Sequence, residues 1–100
     1  MKHVVICAFV DGVDPSAIIA DFASLATTVP SVQALEHGPN VSPEGLDDGF
    51  THCFTVTFAN AAARDEYLVD PAHVAFVERF QPTLAKILVI DYETASPQAV

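Results

Sequence analysis

The run Lys2–Val10, KHVVICAFV, is β-branched and apolar almost throughout. In a strand, side chains alternate between faces. His3, Val5, Cys7 and Phe9 therefore share one row, and Val4, Ile6, Ala8 and Val10 the other. Neither row suits water, so the strand needs a layer on each side. Leaving Val4, Ile6 and Val10 wet would forfeit about 1.5–3 kcal/mol for each side chain. The run Lys86–Glu93, KILVIDYE, has the same two-faced character and predicts a last strand. These two strands bracket everything else.

After Asp11-Gly12 closes the first strand, Asp14-Pro15 opens a helix: Asp caps free N–H groups, and Pro at the first helical position lacks one. Ile18, Phe22, Leu25 and Val29 recur at helical spacing, with Ile19 and Ala26 widening the stripe. Pro30 ends it. Ser31–Gly38 reads as a short, weaker strand, and Pro39–Gly49 (PNVSPEGLDDG) as a loop. Phe50–Phe58 (FTHCFTVTF) alternates cleanly. Phe50, His52, Phe54, Val56 and Phe58 form a large apolar row that belongs under helices, opposite Thr51, Cys53, Thr55 and Thr57. Asn60 caps AAARDEYL, Asp70 caps PAHVAFVERF, and Gln81-Pro82 breaks the second helix. Residues 1–94 form one domain, with 95–100 a frayed C-terminal tail.

Strand, helix, strand, strand, helical pair, strand is the split βαβ order. It predicts an α+β, ferredoxin-like fold: a four-stranded antiparallel sheet with helices on one face. The second face of the outer runs then needs a partner, most simply the sheet of an identical subunit. An apolar fraction of 51% in 100 residues points the same way.

Charge narrows the partners. Four Lys plus Arg stand against thirteen Asp plus Glu, a net −9, which leaves no basic footprint for nucleic acid or an anionic membrane. No apolar stretch is long enough to span a bilayer, and Met1-Lys2 leads straight into a strand without a signal-peptide shape, so the expected setting is cytoplasmic. Cys7 and Cys53 sit inside strands, outside any C-x-x-C, and read as buried free thiols. No G-x-S-x-G, P-loop or Rossmann glycine pattern appears.

The chemistry gathers in Glu66–Phe80, EYLVDPAHVAFVERF. His73 falls at the third helical position after the Asp70-Pro71 restart, where the helix dipole favours neutral imidazole. Such a histidine can take or share a proton near neutral pH. Tyr67 closes the preceding helix, and the break lets phenol and imidazole point into one space. Plainer roles stay open: His73 as a cap or space filler, Tyr67 as a core aromatic.

The opening KHVV, the GPNVSPEG loop, GFTHCFTVTF, YLVDPAHVAF and the closing VIDYE together resemble the Dabb family, the stress-responsive dimeric A/B barrel, over residues 2–93. The resemblance implies a homodimer whose two sheets close an α/β barrel. It also implies kinship with polyketide cyclases of the olivetolic acid cyclase type, which close a linear polyketide by aldol condensation without a cofactor. It assigns acid–base work to His73 and Tyr67 and a place in the pocket to His3 and His52. Asp70 stands where many members have His, and a capping Asp fits that turn equally well.

His3 and His52 both begin helix-facing rows, so they are expected at one end of the sheet, with Phe9, Phe22, Phe54 and Val77 walling a small-molecule pocket. No Asp or Glu shares the predicted face rows of the histidines, so no metal is expected, and an acid–base cyclisation needs no cofactor. The functional expectation is a homodimer binding an oxygenated, partly apolar small molecule and catalysing acid–base cyclisation. The rivals are a non-catalytic stress-response protein with a ligand-binding or vestigial pocket, and a structural role through higher oligomers.

Overall fold

The structure, a computed structural model, describes residues 1–95. Most of the expected tail, 96–100, lies outside them. Four strands form one antiparallel sheet in the order β2-β3-β1-β4: β1 (Lys2–Phe9), β2 (Ala34–Pro39), β3 (His52–Thr57) and β4 (Leu84–Tyr92). Helices α1 (Ser16–Thr28), α2 (Ala61–Val69) and α3 (Pro71–Phe80) complete the layer, and a 3₁₀ turn (Gln81–Thr83) leads into β4.

The caps act largely as their chemistry requires. Asn60 accepts from the Ala63 N–H, and Asp70 accepts from the Ala72 N–H at 2.8 Å with Pro71 at the first helical position. Helix α1 starts one residue late. Pro15 is its cap position, and Asp14 satisfies both the N–H and the hydroxyl of Ser16 from just outside.

Alternation in β3 holds: Phe54, Val56 and Phe58 are buried. Phe22 from α1 stacks on Phe54 with ring centroids 4.2 Å apart, and Phe76 and Phe80 from α3 pack beside it. This aromatic cluster, with Val5, Cys7, Leu25 and Val29, is the core. The thiols part company: Cys7 is buried, and burial pushes its pKa up to about 11, with Cys53 adding to the effect. Cys53 is exposed, against expectation, because it faces away from the helices.

The open sheet face carries Val4 and Ile6, half-buried, beside exposed Leu88, Ile90 and Tyr92 of β4. On the helix side, Ile87 and Val89 remain 47% and 48% exposed. β4 is an edge strand, and the helices leave its margin uncovered. A cavity opens there. No helix among the described residues is long and apolar enough to cross a membrane.

Candidate functional site

A cavity of about 270 Å³ lies between α3, the end of α2 and strands β1 and β4. That is near the lower end of the range for small-molecule sites, ~300–1,000 Å³, with room for a single-ring compound. Phe22, Phe76, Val77, Leu84, Ile87 and Val89 supply apolar wall, and His3, Tyr67, His73 and Gln81 supply the polar groups.

The Asp70-Pro71 break brings Tyr67 and His73 together. Their ring centroids are 4.2 Å apart at 43°. No hydrogen bond joins them. The His73 Nδ1–H instead donates to the Leu68 carbonyl at 3.2 Å, which leaves Nε2 as the bare acceptor. The imidazole pKa is lowered chiefly by burial. The Leu68 carbonyl opposes this, the nearby His3 adds to it, and Asp70 opposes it. The sequence expects neutral His73 from the helix dipole, and desolvation pushes in the same direction. Tyr67 is fully buried, and burial raises the pKa of its phenol. It stays a donor at physiological pH, with no protein partner for its hydroxyl among the described residues. An uncharged base and a protonated phenol thus lie side by side.

His3 is buried, packs edge-on to Tyr67 with centroids 5.8 Å apart, and has Nδ1 2.7 Å from Asp91 Oδ1. Its expected companion is elsewhere. The β1·β3 register pairs His3 with Val56 and Cys7 with His52. The strands are neighbours but antiparallel, so residues that begin each strand lie at opposite ends. Four residues of strand separate the two histidines, roughly 13 Å. His52 packs edge-on against Phe9 and lies 2.9 Å from the Thr51 hydroxyl. Phe9 lies at that same far end, and Phe54 is sealed in the core under Phe22; neither lines the cavity. Of the residues anticipated, His73, Tyr67, His3, Phe22 and Val77 meet there.

A second cavity, about 530 Å³, opens by the loop between β2 and β3 and is lined by His52, Phe50, Asp47, Asp48, Ile6 and Leu88 among others. Although larger, it opens onto the sheet face away from the helices, where Ile6 and Leu88 await a covering layer. The convergent acid–base groups are in the smaller one.

Asp91 was missed. Ile87, Val89 and Asp91 share one row of β4, so a carboxylate ending an apolar row was the available signal. Among the described residues, no group of three or more His, Cys, Asp or Glu side chains is placed to hold a metal.

Comparison with known proteins adds the lineage. The family model for the stress responsive A/B barrel domain, Dabb, matches residues 1–94. The stress-response A/B barrel domain-containing protein HS1 of Arabidopsis thaliana is 41% identical over 99 residues, covering 96% of this chain and 91% of that protein. Olivetolic acid cyclase of Cannabis sativa is 25% identical over 95 residues, 92% of this chain and 94% of the cyclase. Among solved structures, the hydroxynitrile lyase of Passiflora edulis superposes with a TM-score of 0.90 at 26% identity, over 98% of this chain and 95% of the lyase. A dimeric ferredoxin-like protein from Jannaschia sp. superposes with a TM-score of 0.79 at 25% identity, over 93% of this chain and 97% of that one. With its split βαβ sheet and a family match over nearly its whole length, the chain belongs to the Dabb family of stress responsive A/B barrel domains.

Proposed function

We propose that this is a homodimeric Dabb protein that binds an oxygenated, partly apolar small molecule between helices and sheet and catalyses a cofactor-free acid–base condensation, an aldol cyclisation of the polyketide-cyclase kind. The observation that carries the reading is the apposition of Tyr67 and His73 on one wall of an apolar cavity. His73 Nε2 takes a proton from a carbon flanked by carbonyls. The resulting carbanion attacks a second carbonyl of the same chain, forming the ring bond. The new alkoxide oxygen is steadied by the Tyr67 hydroxyl and takes up the proton that His73 received. Charge is balanced within the pair, so no external acid or cofactor is needed. The names of two relatives, a cyclase and a lyase, support an enzymatic use of this scaffold.

Dimerisation is supported by the open sheet face with Leu88, Ile90 and Tyr92 exposed, and by the dimeric ferredoxin-like neighbour. A second reading keeps the cavity and drops the chemistry. His73 makes its one hydrogen bond to a backbone carbonyl, which suits a ligand-binding wall as well as a base.

The test is turnover of linear poly-β-keto thioesters by wild type, His73→Ala and Tyr67→Phe. The prediction is a loss of about 10²–10⁴-fold in kcat/KM for His73→Ala, the usual contribution of a positioned base. Tyr67→Phe should lose activity while changing stability by less than about 1 kcal/mol, because its hydroxyl has no protein partner to forfeit. Saturable binding with no rate above buffer in wild type would select the non-catalytic reading.

A further inference from the structure

We propose that Arg64 is a positioning residue for the pocket: acting through Asp91, it holds His3 with Nδ1 protonated and Nε2 bare, so that His3 offers a directed acceptor to a hydroxyl or enol of the bound molecule. The inference rests on the reading of the cavity as a ligand site and adds a third polar contact to it.

Three elements build the chain of contacts. Arg64 lies one turn into α2 and reaches the end of β4, where its Nη1 donates to Asp91 Oδ2 at 2.5 Å. The other carboxylate oxygen, Oδ1, lies 2.7 Å from His3 Nδ1. His3 and Asp91 are direct partners in the β1·β4 ladder, so the sheet sets this spacing. Their side chains are largely buried, at 8% and 21% exposure, with Arg64 at 22%. A carboxylate with one oxygen on a guanidinium and the other on an imidazole is occupied on both sides.

The consequence for His3 is chemical. An ionised carboxylate can only accept, so Nδ1 must carry the hydrogen, and in neutral imidazole Nε2 must then be bare. Nε2 has no partner among the described residues, and His3 lines the cavity. The guanidinium helps keep Asp91 an acceptor. Burial favours a protonated carboxyl, while the hydrogen bonds from Arg64 and His3 outweigh it and leave the pKa below its usual value. Arg64 is one of only four cationic side chains in a chain of net charge −9. Its Nε also bonds Asp65 at 2.8 Å, which fixes the fork. A plain tertiary tie between helix and sheet would need the Arg64–Asp91 pair alone. The third member makes it a device for orienting a ring.

The experiment reads His3 directly. The ¹⁵N shifts of its ring nitrogens are measured without ligand, at a pH above the imidazole titration, in wild type, Arg64→Gln, Arg64→Lys and Asp91→Asn. Wild type should show protonated Nδ1 and bare Nε2. In Arg64→Gln the ratio of the Nδ1–H to the Nε2–H form should fall about tenfold, as expected for losing a charge-assisted support. Arg64→Lys, which keeps the charge without the fork, should recover most of it. Asp91→Asn, close in shape and a check should Arg64→Gln fold poorly, should also shift the ratio toward Nε2–H. A wild-type ratio in Arg64→Gln, or a bare Nδ1 in wild type, overturns the proposal. No substrate enters the measurement, so its failure is separable from failure of the cyclase reading.

Discussion

At the scale of single residues, the site depends on keeping one imidazole uncharged and one phenol protonated. Burial does both, lowering the pKa of His73 and raising that of Tyr67. The first shift has a stability consequence of definite sign. Below the ordinary histidine value, about 6.5, the unfolded chain binds a proton at His73 that the folded chain resists. Wild-type stability should therefore fall as pH drops through that value and on through the lower folded one. His73→Gln should remove this component, so from neutral to mildly acid pH the denaturation midpoint of wild type should fall relative to that of the variant. A parallel course would mean that His73 is not desolvated. Asp91 adds a loss of the same sign at lower pH: its depressed pKa stabilises the fold above the ordinary carboxylate range, and that contribution is lost as pH falls through the depressed value.

At the scale of elements, local chemistry is legible in the sequence wherever one residue type has one job. The Asp70-Pro71 restart, the Asn60 cap and the apolar row of β3 are readable because capping and alternation are short-range rules. Direction along the sheet is not. Two histidines that begin helix-facing rows look equivalent until the antiparallel register sends His52 to the far end with Phe9. Asp91 escaped for a related reason, since its meaning comes from His3, eighty-eight positions away. The hinge between α2 and α3 can be probed by itself. Asp70→Ala removes the acceptor for the Ala72 N–H and should cost about 1 kcal/mol, the usual effect of losing an N-cap. Asp70→Asn should cost much less. Equal losses in the two variants, measured by urea denaturation, would assign the effect to charge rather than to capping.

At the scale of the molecule, the decisive feature is a sheet covered on one side. The two-faced first and last strands announced it in the sequence, and Leu88, Ile90 and Tyr92 lie bare on that side. What the sequence could not show is that Ile87 and Val89 would also stay uncovered on the helix side, because helix placement over an edge strand depends on packing among all three helices. That uncovered margin is the mouth of the cavity. The open face predicts its own test. Ile90→Lys places a charge amid apolar surface and should convert the proposed dimer to monomer by light scattering, with the cavity mutants unaffected. An unchanged mass would remove the open face as the interface.

The pairing of Tyr67 and His73 as one ligand site is tested most directly by where an oxygenated ligand sits. A crystal structure with a hydroxylated aromatic acid bound is predicted to show its ring against Phe22, Phe76 and Val77, with an oxygen in hydrogen-bond reach of both the Tyr67 hydroxyl and His73 Nε2. A ligand seated instead beside Phe50 and Asp47, with the space around Tyr67 and His73 closed, would contradict it.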